Sequence, residues 1–124
     1  MAWAFWRRKI VMSDQLSVSV TTGPSHVVVV VSGDWDTAGP GGFRHAVKPE
    51  ALPPGTRLIV DLSLLGFMAT VGVYELVCTQ DTLKELGGTL ALAAPQKVVQ
   101  RMLELSGVDQ RIAVYGTVAE ALGN

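Results

Sequence analysis

Two closely spaced carboxylates are the pair in this 124-residue sequence that most readily suggests chemistry. Asp34 and Asp36 flank a tryptophan soon after a run of valines. A pair of carboxylates can hold Mg²⁺ or act as acid and base in catalysis. The segment around them contains no third oxygen ligand and no nucleophile. The pattern therefore favours a role for both residues in a turn or at the start of a helix.

Thr70 is a hydroxyl residue placed where a loop meets the start of a predicted helix. As a helix N-cap, its side-chain oxygen would accept an N–H from the first turn. A phosphate on the same oxygen would face free N–H groups and the positive end of the helix dipole. Two interpretations follow, a structural cap and a hydroxyl that is regulated or contacts a partner.

Three other residues carry a reactive or polar group, or a large aromatic ring. Asp61 ends an apolar segment, where we expect loop N–H groups to meet its charge. Trp35 is either a core residue or an exposed anchor for a partner. Cys78 is the only cysteine, which excludes an internal disulfide and is typical of a reducing compartment. We expect it to be a small buried hydrophobic residue.

Composition narrows the possible functions. The chain is 48% hydrophobic and 17% charged, which indicates one globular domain. Ten basic residues against 11 acidic ones give no basic surface for nucleic acid. The sequence shows no catalytic triad, phosphate-binding glycine loop or cysteine–histidine metal motif. We therefore expect a cytoplasmic binding protein that uses no metal and no cofactor, and not a small α/β enzyme.

Residues 1–12 differ from the rest of the chain, because three aromatic residues are followed by Arg7, Arg8 and Lys9. Their apolar part is too short to span a bilayer, and the charges lie after it, unlike those of a signal peptide. One interpretation is a weak interfacial membrane anchor. We favour the other, in which residues 1–12 are an extension outside the fold and residues 13–124 form the domain. Strong membrane binding is not expected.

The apolar pattern predicts the order β-β-α-β-α-β-α-β-α. Residues 16–20 alternate as in a half-buried strand, and the five valines at residues 27–31 indicate a strand buried on both faces. Further strands are predicted at residues 57–62, 89–93 and 111–115, and helices from Asp36 or Thr37 to about Val47 and at about residues 71–86, 96–105 and 118–122. Helices between strands favour right-handed crossovers and parallel neighbours. The predicted fold is α/β, with a mixed, mainly parallel sheet and helices packed against it.

Three segments of this predicted fold resemble a known family. The sequence GDWD at residues 33–36 resembles a turn after the second strand. The sequences VDLS at residues 60–63 and GFMATVG at residues 66–72 resemble a strand and its switch loop, and residues 95–108 resemble a third helix that ends in Leu-Ser-Gly. Together they resemble the STAS family, which includes bacterial anti-sigma factor antagonists and cytosolic domains of anion transporters. The resemblance covers about residues 16–122.

The switch loop departs from the usual family pattern. In the family it usually reads Asp-Ser-Ser-Gly or Asp-Ser-Thr-Gly, and the first hydroxyl residue accepts a phosphate. The matching residues here are Ala69, Thr70, Val71 and Gly72. The resemblance thus implies Thr70 as the candidate phosphoacceptor, without the neighbouring acid and second hydroxyl. It implies partner binding more firmly than phosphorylation.

The resemblance also implies a partner, an anti-sigma factor with a serine/threonine kinase domain that the antagonist sequesters. The alternative is a stand-alone STAS subunit bound to the ATPase of a lipid-transport ABC system. We expect the residues that contact the partner to be Asp34, Asp36, Ala69, Val71, Gly72, Tyr74 and Glu75. On the helix, we expect the residues off the apolar face to be Tyr74, Glu75, Thr79 and Asp81. Charge reversal at Glu75 should then weaken partner capture without unfolding the domain.

Overall fold

A mixed seven-stranded sheet runs through the computed structural model, which describes residues 6–11, 15–24, 26–36 and 42–123. The strands are β1 (Trp6–Val11), β2 (Leu16–Thr22), β3 (His26–Trp35), β4 (Arg57–Asp61), β5 (Leu65–Met68), β6 (Thr89–Ala93) and β7 (Ala113–Tyr115). The helices are α1 (Gly42–Val47), α2 (Thr70–Glu85), α3 (Lys97–Ser106) and α4 (Val118–Ala121), with short 3₁₀ turns at Pro49–Ala51 and Val108–Gln110.

The strand order is β1-β2-β3-β4-β6-β7. The pairs β1–β2 and β2–β3 are antiparallel, and all pairs from β3 to β7 are parallel. Strand β5 pairs in parallel with the end of β3, beyond the stretch of β3 that pairs with β4. The mixed, mainly parallel α/β sheet predicted from the apolar pattern is confirmed.

The two faces of the sheet are covered unequally. Helices α1, α2 and α3 pack on one face, where Val27, Val29 and Val31 join the main core. Helix α4 covers a smaller cluster on the other face, against which Val28 packs. The five valines therefore alternate between buried and half-buried positions, so the prediction of a strand fully buried on both faces is wrong. Among the described residues, one short helix covers the second face.

Strand β1 was not predicted, because residues 1–12 were expected to lie outside the fold. Residues 6–11 instead pair with β2, from Trp6 opposite Thr22 to Val11 opposite Ser17. An edge strand can be held by backbone hydrogen bonds alone. Its sequence then need not alternate between apolar and polar residues, and the strand is not predicted. Arg8 adds one contact, since its Nη2 donates to the carbonyl oxygen of Ala46 over 3.2 Å. A domain boundary at residue 13 stays a prediction, and residues 1–5 and 12–14 lie outside the described residues.

Two further differences concern the elements near the candidate site. Strand β5 was missed, because four residues between two loops show no period. Helix α1 is described only from Gly42, and Asp36 lies directly after β3 without being helical. The alternative cap, Thr37, lies outside the described residues. None of the helices in the described ranges is long and apolar enough to cross a membrane.

Candidate functional site

The carboxyl end of β3 lies next to the start of α2. Strand β5 aligns Asp34 with Phe67 and Trp35 with Met68. The N–H of Ala69, directly after β5, donates to the carbonyl oxygen of Trp35 over 2.8 Å. Since Thr70 follows as the first residue of α2, the unpredicted strand β5 brings the switch-loop segment against the end of β3.

Thr70 does not cap α2. The N-cap residue is Ala69, with extended backbone (φ −89°, ψ 176°), and no side chain accepts a hydrogen bond at this helix start. Thr70 is the first helical residue, and its side chain is exposed. The interpretation of Thr70 as the cap is therefore wrong, and the helix start does not use its hydroxyl.

The electrostatics around Thr70 combine two opposite influences. The first N–H groups of a helix have no partner within it, and the helix dipole is positive at this end. The first turn of α2 contains no acidic residue that would offset this charge. The exposed Asp34 and Asp36 lie on either side of Trp35, whose carbonyl oxygen is bonded to Ala69. The site thus presents a positive helix end beside two carboxylates.

Trp35 is a core residue, which decides between the two interpretations made from the sequence. Its side chain is fully buried, and its ring lies 4.9 Å from that of Phe43, centroid to centroid. Gly72 lies against it, because a Cβ on Gly72 would be 2.7 Å from Cγ of Met68 and 3.1 Å from Cδ2 of Trp35. Because Gly72 has no side chain, α2 can approach β3 and β5 closely.

Glu75 is buried, contrary to the prediction that it faces outward. It is 5% exposed and contacts α1, where its Oε1 accepts the backbone N–H of Arg44 over 3.2 Å. Its Oε2 lies 3.3 Å from Nη2 of Arg44, and this hydrogen bonding raises the pKa of the Arg44 guanidinium. Thr79, one turn later, is also buried and donates to the carbonyl oxygen of Glu75 over 2.7 Å. Charge reversal at Glu75 would therefore disturb the packing of α1 on α2.

Tyr74 does face outward, as predicted, and is 60% exposed. The guanidinium of Arg44 lies 5.7 Å from the centre of its ring, within reach of a cation–π contact. A hydrogen bond with the side chain of Cys78 raises the pKa of the Tyr74 hydroxyl. Cys78 is half-buried, which is less burial than the sequence led us to expect. The guanidinium of Arg44 thus contacts the exposed aromatic ring.

Two exposed apolar side chains that precede Thr70 in the chain were not predicted from the sequence. Leu64 and Phe67 are large and exposed, at the turn before β5 and on β5 itself. The N–H of Gly33 donates to the carbonyl oxygen of Leu64 over 3.0 Å, which places this turn beside β3. A signal was present, because Leu64 precedes the switch-loop motif, Phe67 lies within it, and neither belongs to an amphipathic period. We call this region the Thr70 surface and define it by Asp34, Asp36, Leu64, Phe67, Thr70 and Tyr74.

The remaining site predictions have separate outcomes. Asp61 accepts the N–H of Ser63 over 2.9 Å, which confirms that a loop N–H meets its charge. Ala69 and Val71 are half-buried beside Thr70. In the part of the chain that the structure describes, no three His, Cys, Asp or Glu residues are grouped so that they could hold a metal ion.

Comparison with known proteins identifies the family. The family model described as Mlab, STAS domain matches residues 18–117. The chain belongs to the STAS domain family. A STAS relative, the anti-sigma-F factor antagonist RsfB of Mycobacterium tuberculosis, is 24% identical over 109 residues, covering 88% of each chain.

Solved structures agree with this assignment. An anti-sigma factor antagonist from Mycobacterium paratuberculosis superposes with a TM-score of 0.75 at 26% identity, covering 89% of this chain and 93% of that one. The protein TM1081 of Thermotoga maritima gives a TM-score of 0.73 at 22% identity over 85% of each chain. The resemblance to the STAS family and the STAS fold predicted from it are both confirmed.

Proposed function

We propose that this protein is an anti-sigma factor antagonist that binds an anti-sigma factor with a serine/threonine kinase domain through the Thr70 surface. The relatives named as anti-sigma factor antagonists support this class of function. The observation that carries the proposal is the exposed Thr70 at the start of α2, beside apolar side chains that nothing in the described residues covers.

The Thr70 surface has the composition of a small protein interface. Aromatic side chains provide much of the binding energy at such interfaces when a partner desolvates them. Phe67 and Tyr74 are exposed, and the ring of Tyr74 already packs against the guanidinium of Arg44. Orientation before binding reduces the entropy lost when the partner docks. We therefore propose that both rings contact the partner, together with Asp34 and Asp36.

Phosphorylation of Thr70 is the proposed control. A phosphate adds about two negative charges at pH 7. The free N–H groups at the start of α2 could donate hydrogen bonds to the phosphate oxygens, so the added charge would not disturb the fold. The same charges would lie close to Asp34 and Asp36, and a partner fitted to the unmodified surface would lose contact with it. In this proposal the unmodified protein sequesters the anti-sigma factor, and the phosphorylated protein releases it.

The test is direct binding to the anti-sigma factor encoded nearest to this gene, measured by calorimetry with the purified kinase domain. Tyr74→Ala should weaken binding about tenfold or more and leave the melting temperature unchanged. Leu105→Ala is the matched control, because Leu105 is also exposed and apolar but lies at the far end of α3. If Leu105→Ala loses binding and Tyr74→Ala keeps it, the interface does not lie at the Thr70 surface.

A pull-down from the native organism tests the partner itself. Recovery of a kinase-type anti-sigma factor supports the proposal. Recovery of the ATPase of a lipid-transport ABC system in its place would replace the proposal with the alternative of a stand-alone STAS subunit.

A further inference from the structure

A notch opens in the sheet where β7 fails to cover the start of β6. Strand β6 begins at Thr89, whereas its pairing with β7 begins only at Ala91, opposite Ala113. The notch encloses about 290 Å³, and its polar lining consists of Arg57, Gln80, Lys84, Thr89, Arg111 and Tyr115. It lies at the amino ends of parallel strands β4, β6 and β7, whereas Thr70 lies at their carboxyl ends.

The notch is positively charged. Arg57, Lys84 and Arg111 line it, and Oδ1 of Asp81 lies 3.8 Å from Nη2 of Arg111. That pair is loose, and both of its side chains are more than half exposed. Lys84 is exposed and forms no ion pair with any described residue. Arg57 is held firmly, because its Nε donates to the carbonyl oxygen of Ala121 over 2.7 Å.

Gln80, which also lines the notch, carries an unpaired polar atom. It is 6% exposed, and its Nε2 donates to the carbonyl oxygen of Arg111 over 2.7 Å. Since that carbonyl can only accept, the amide orientation is fixed and Oε1 must face the other way. Oε1 is buried and has no partner among the described residues. Buried polar atoms are nearly always hydrogen-bonded, because leaving one unpaired costs free energy.

We propose that the notch binds a small organic phosphate, with the phosphate held by Lys84 and Arg111 and a hydroxyl or amine donating to Gln80. Arginine and lysine are the side chains that most readily hold phosphate oxygens. Ligand pockets usually enclose roughly 300–1,000 Å³, so this notch suits a ligand at the small end of that range. The same chemistry occurs in free phosphate metabolites and in phospholipid headgroups. This site is separate from the Thr70 surface and does not depend on the proposed function.

The first experiment is a titration of the ¹⁵N-labelled protein with glycerol 3-phosphate, followed by amide NMR shifts at low salt. The amides of Gln80, Lys84, Thr89 and Arg111 should shift. Glycerol at the same concentration should cause no shift, because it lacks the charge. Inorganic phosphate should bind more weakly than glycerol 3-phosphate, because it is smaller and lacks the glycerol hydroxyls. Equal affinity for inorganic phosphate and glycerol 3-phosphate would show that Gln80 does not contact the ligand.

Charge removal tests the assignment of the cations. Lys84→Gln with Arg111→Gln should weaken binding of glycerol 3-phosphate about tenfold, since each exposed charge contributes modestly. The matched control is Lys97→Gln with Arg101→Gln, which removes the same charges from the exposed side of α3. Unchanged binding in the first variant, or an equal loss in the control, would overturn the proposal.

Vesicle sedimentation separates the two sources of phosphate. Binding to phosphatidylglycerol vesicles but not to phosphatidylcholine vesicles, lost with Lys84 and Arg111, would assign the site to a lipid headgroup. Binding to glycerol 3-phosphate without vesicle binding would assign it to a free metabolite. If neither probe binds and no amide at the notch shifts, the notch is not a phosphate site.

Discussion

The carboxylate of Glu75 occupies the space that a side chain on Gly42 would need. A Cβ on Gly42 would lie 2.9 Å from Oε1 of Glu75, and Gly42 has a φ of 66°, where glycine is favoured. From this position Glu75 accepts the N–H of Arg44 and faces its guanidinium. The side chain of Glu75 on α2 thus accepts a free N–H at the start of α1, as an N-cap side chain does within its own helix.

This relationship predicts that Glu75 contributes to stability. Glu75→Ala should lower the free energy of unfolding by about 1–3 kcal/mol, because it leaves the Arg44 N–H without its partner. The ion pair itself adds little to that figure, since the Arg44 side chain is 40% exposed and solvent screens it. Urea unfolding followed by circular dichroism measures the change.

Glu85→Ala is the control for this experiment, because Glu85 is exposed near the end of the same helix. It should change the free energy of unfolding by less than about 0.5 kcal/mol. Equal stability of the two variants would show that Glu75 does not hold α1.

The burial of Glu75 also shows what the sequence pattern could not predict. The spacing of Val73, Leu76 and Leu83 placed α2 within one residue at each end, because Gly87 and Gly88 stop it. That period describes one face of one helix. It carries no information about a second helix, α1, that packs beside that face and buries a carboxylate with its own arginine.

Strands β1 and β5 were missed for a related reason. Their positions are set by backbone pairing with β2 and β3. Backbone hydrogen bonds do not require a pattern of apolar and polar residues, so the sequence does not predict them. The place of Thr70 at the start of α2 was predicted because residues 69–72 could be aligned with the family's switch-loop pattern through Gly72. The Thr70 surface was predicted only in part, because the exposure of Leu64 and Phe67 depends on where β5 pairs.

Gly72 should be a position where one added methyl group is costly. Gly72→Ala places a Cβ 2.7 Å from Cγ of Met68, so α2 must shift or Met68 must change rotamer. Overpacking of this kind costs about 1–3 kcal/mol of stability. The double variant Met68→Ala with Gly72→Ala should lose less stability than the sum of the two single changes, because the first removes the clashing atom. Additive losses would show that the contact does not limit the approach of α2.

Removal of residues 1–11 should weaken the domain without unfolding it. The described side chains of β1 lie outside the main core, so the loss is mainly the edge hydrogen bonds and the Arg8 contact with Ala46. A loss of about 1 kcal/mol would lower the melting temperature by roughly 3–6 °C, because this domain lies between the smaller and larger size classes. Calorimetry of the full chain and of a protein beginning at Met12 measures the difference. A truncated protein with no cooperative transition would show that β1 is essential.

Thr70 should act as a charge-sensitive contact. Thr70→Glu should keep the melting temperature of the unmodified protein, because a negative charge at a helix start is favourable. It should weaken binding to the anti-sigma factor about tenfold or more, because the charge enters a surface that already holds Asp34 and Asp36. Thr70→Ala should bind with nearly the original affinity. Gln110→Glu, an exposed position away from the Thr70 surface, is the control for added charge.

The kinase reaction tests the same residue without substitution. Mass spectrometry after incubation with the cognate kinase and ATP should find phosphate on Thr70, at a low rate, because the hydroxyl is on a stiff β-branched carbon and Ala69 supplies no carboxylate to orient it. Thr70→Ser should accept phosphate faster, since it lacks the extra methyl group. If no phosphate is found on Thr70 and Thr70→Glu binds as tightly as the original protein, Thr70 does not regulate binding. The protein would then be a constitutive binding module, because the start of α2 would carry no charge switch.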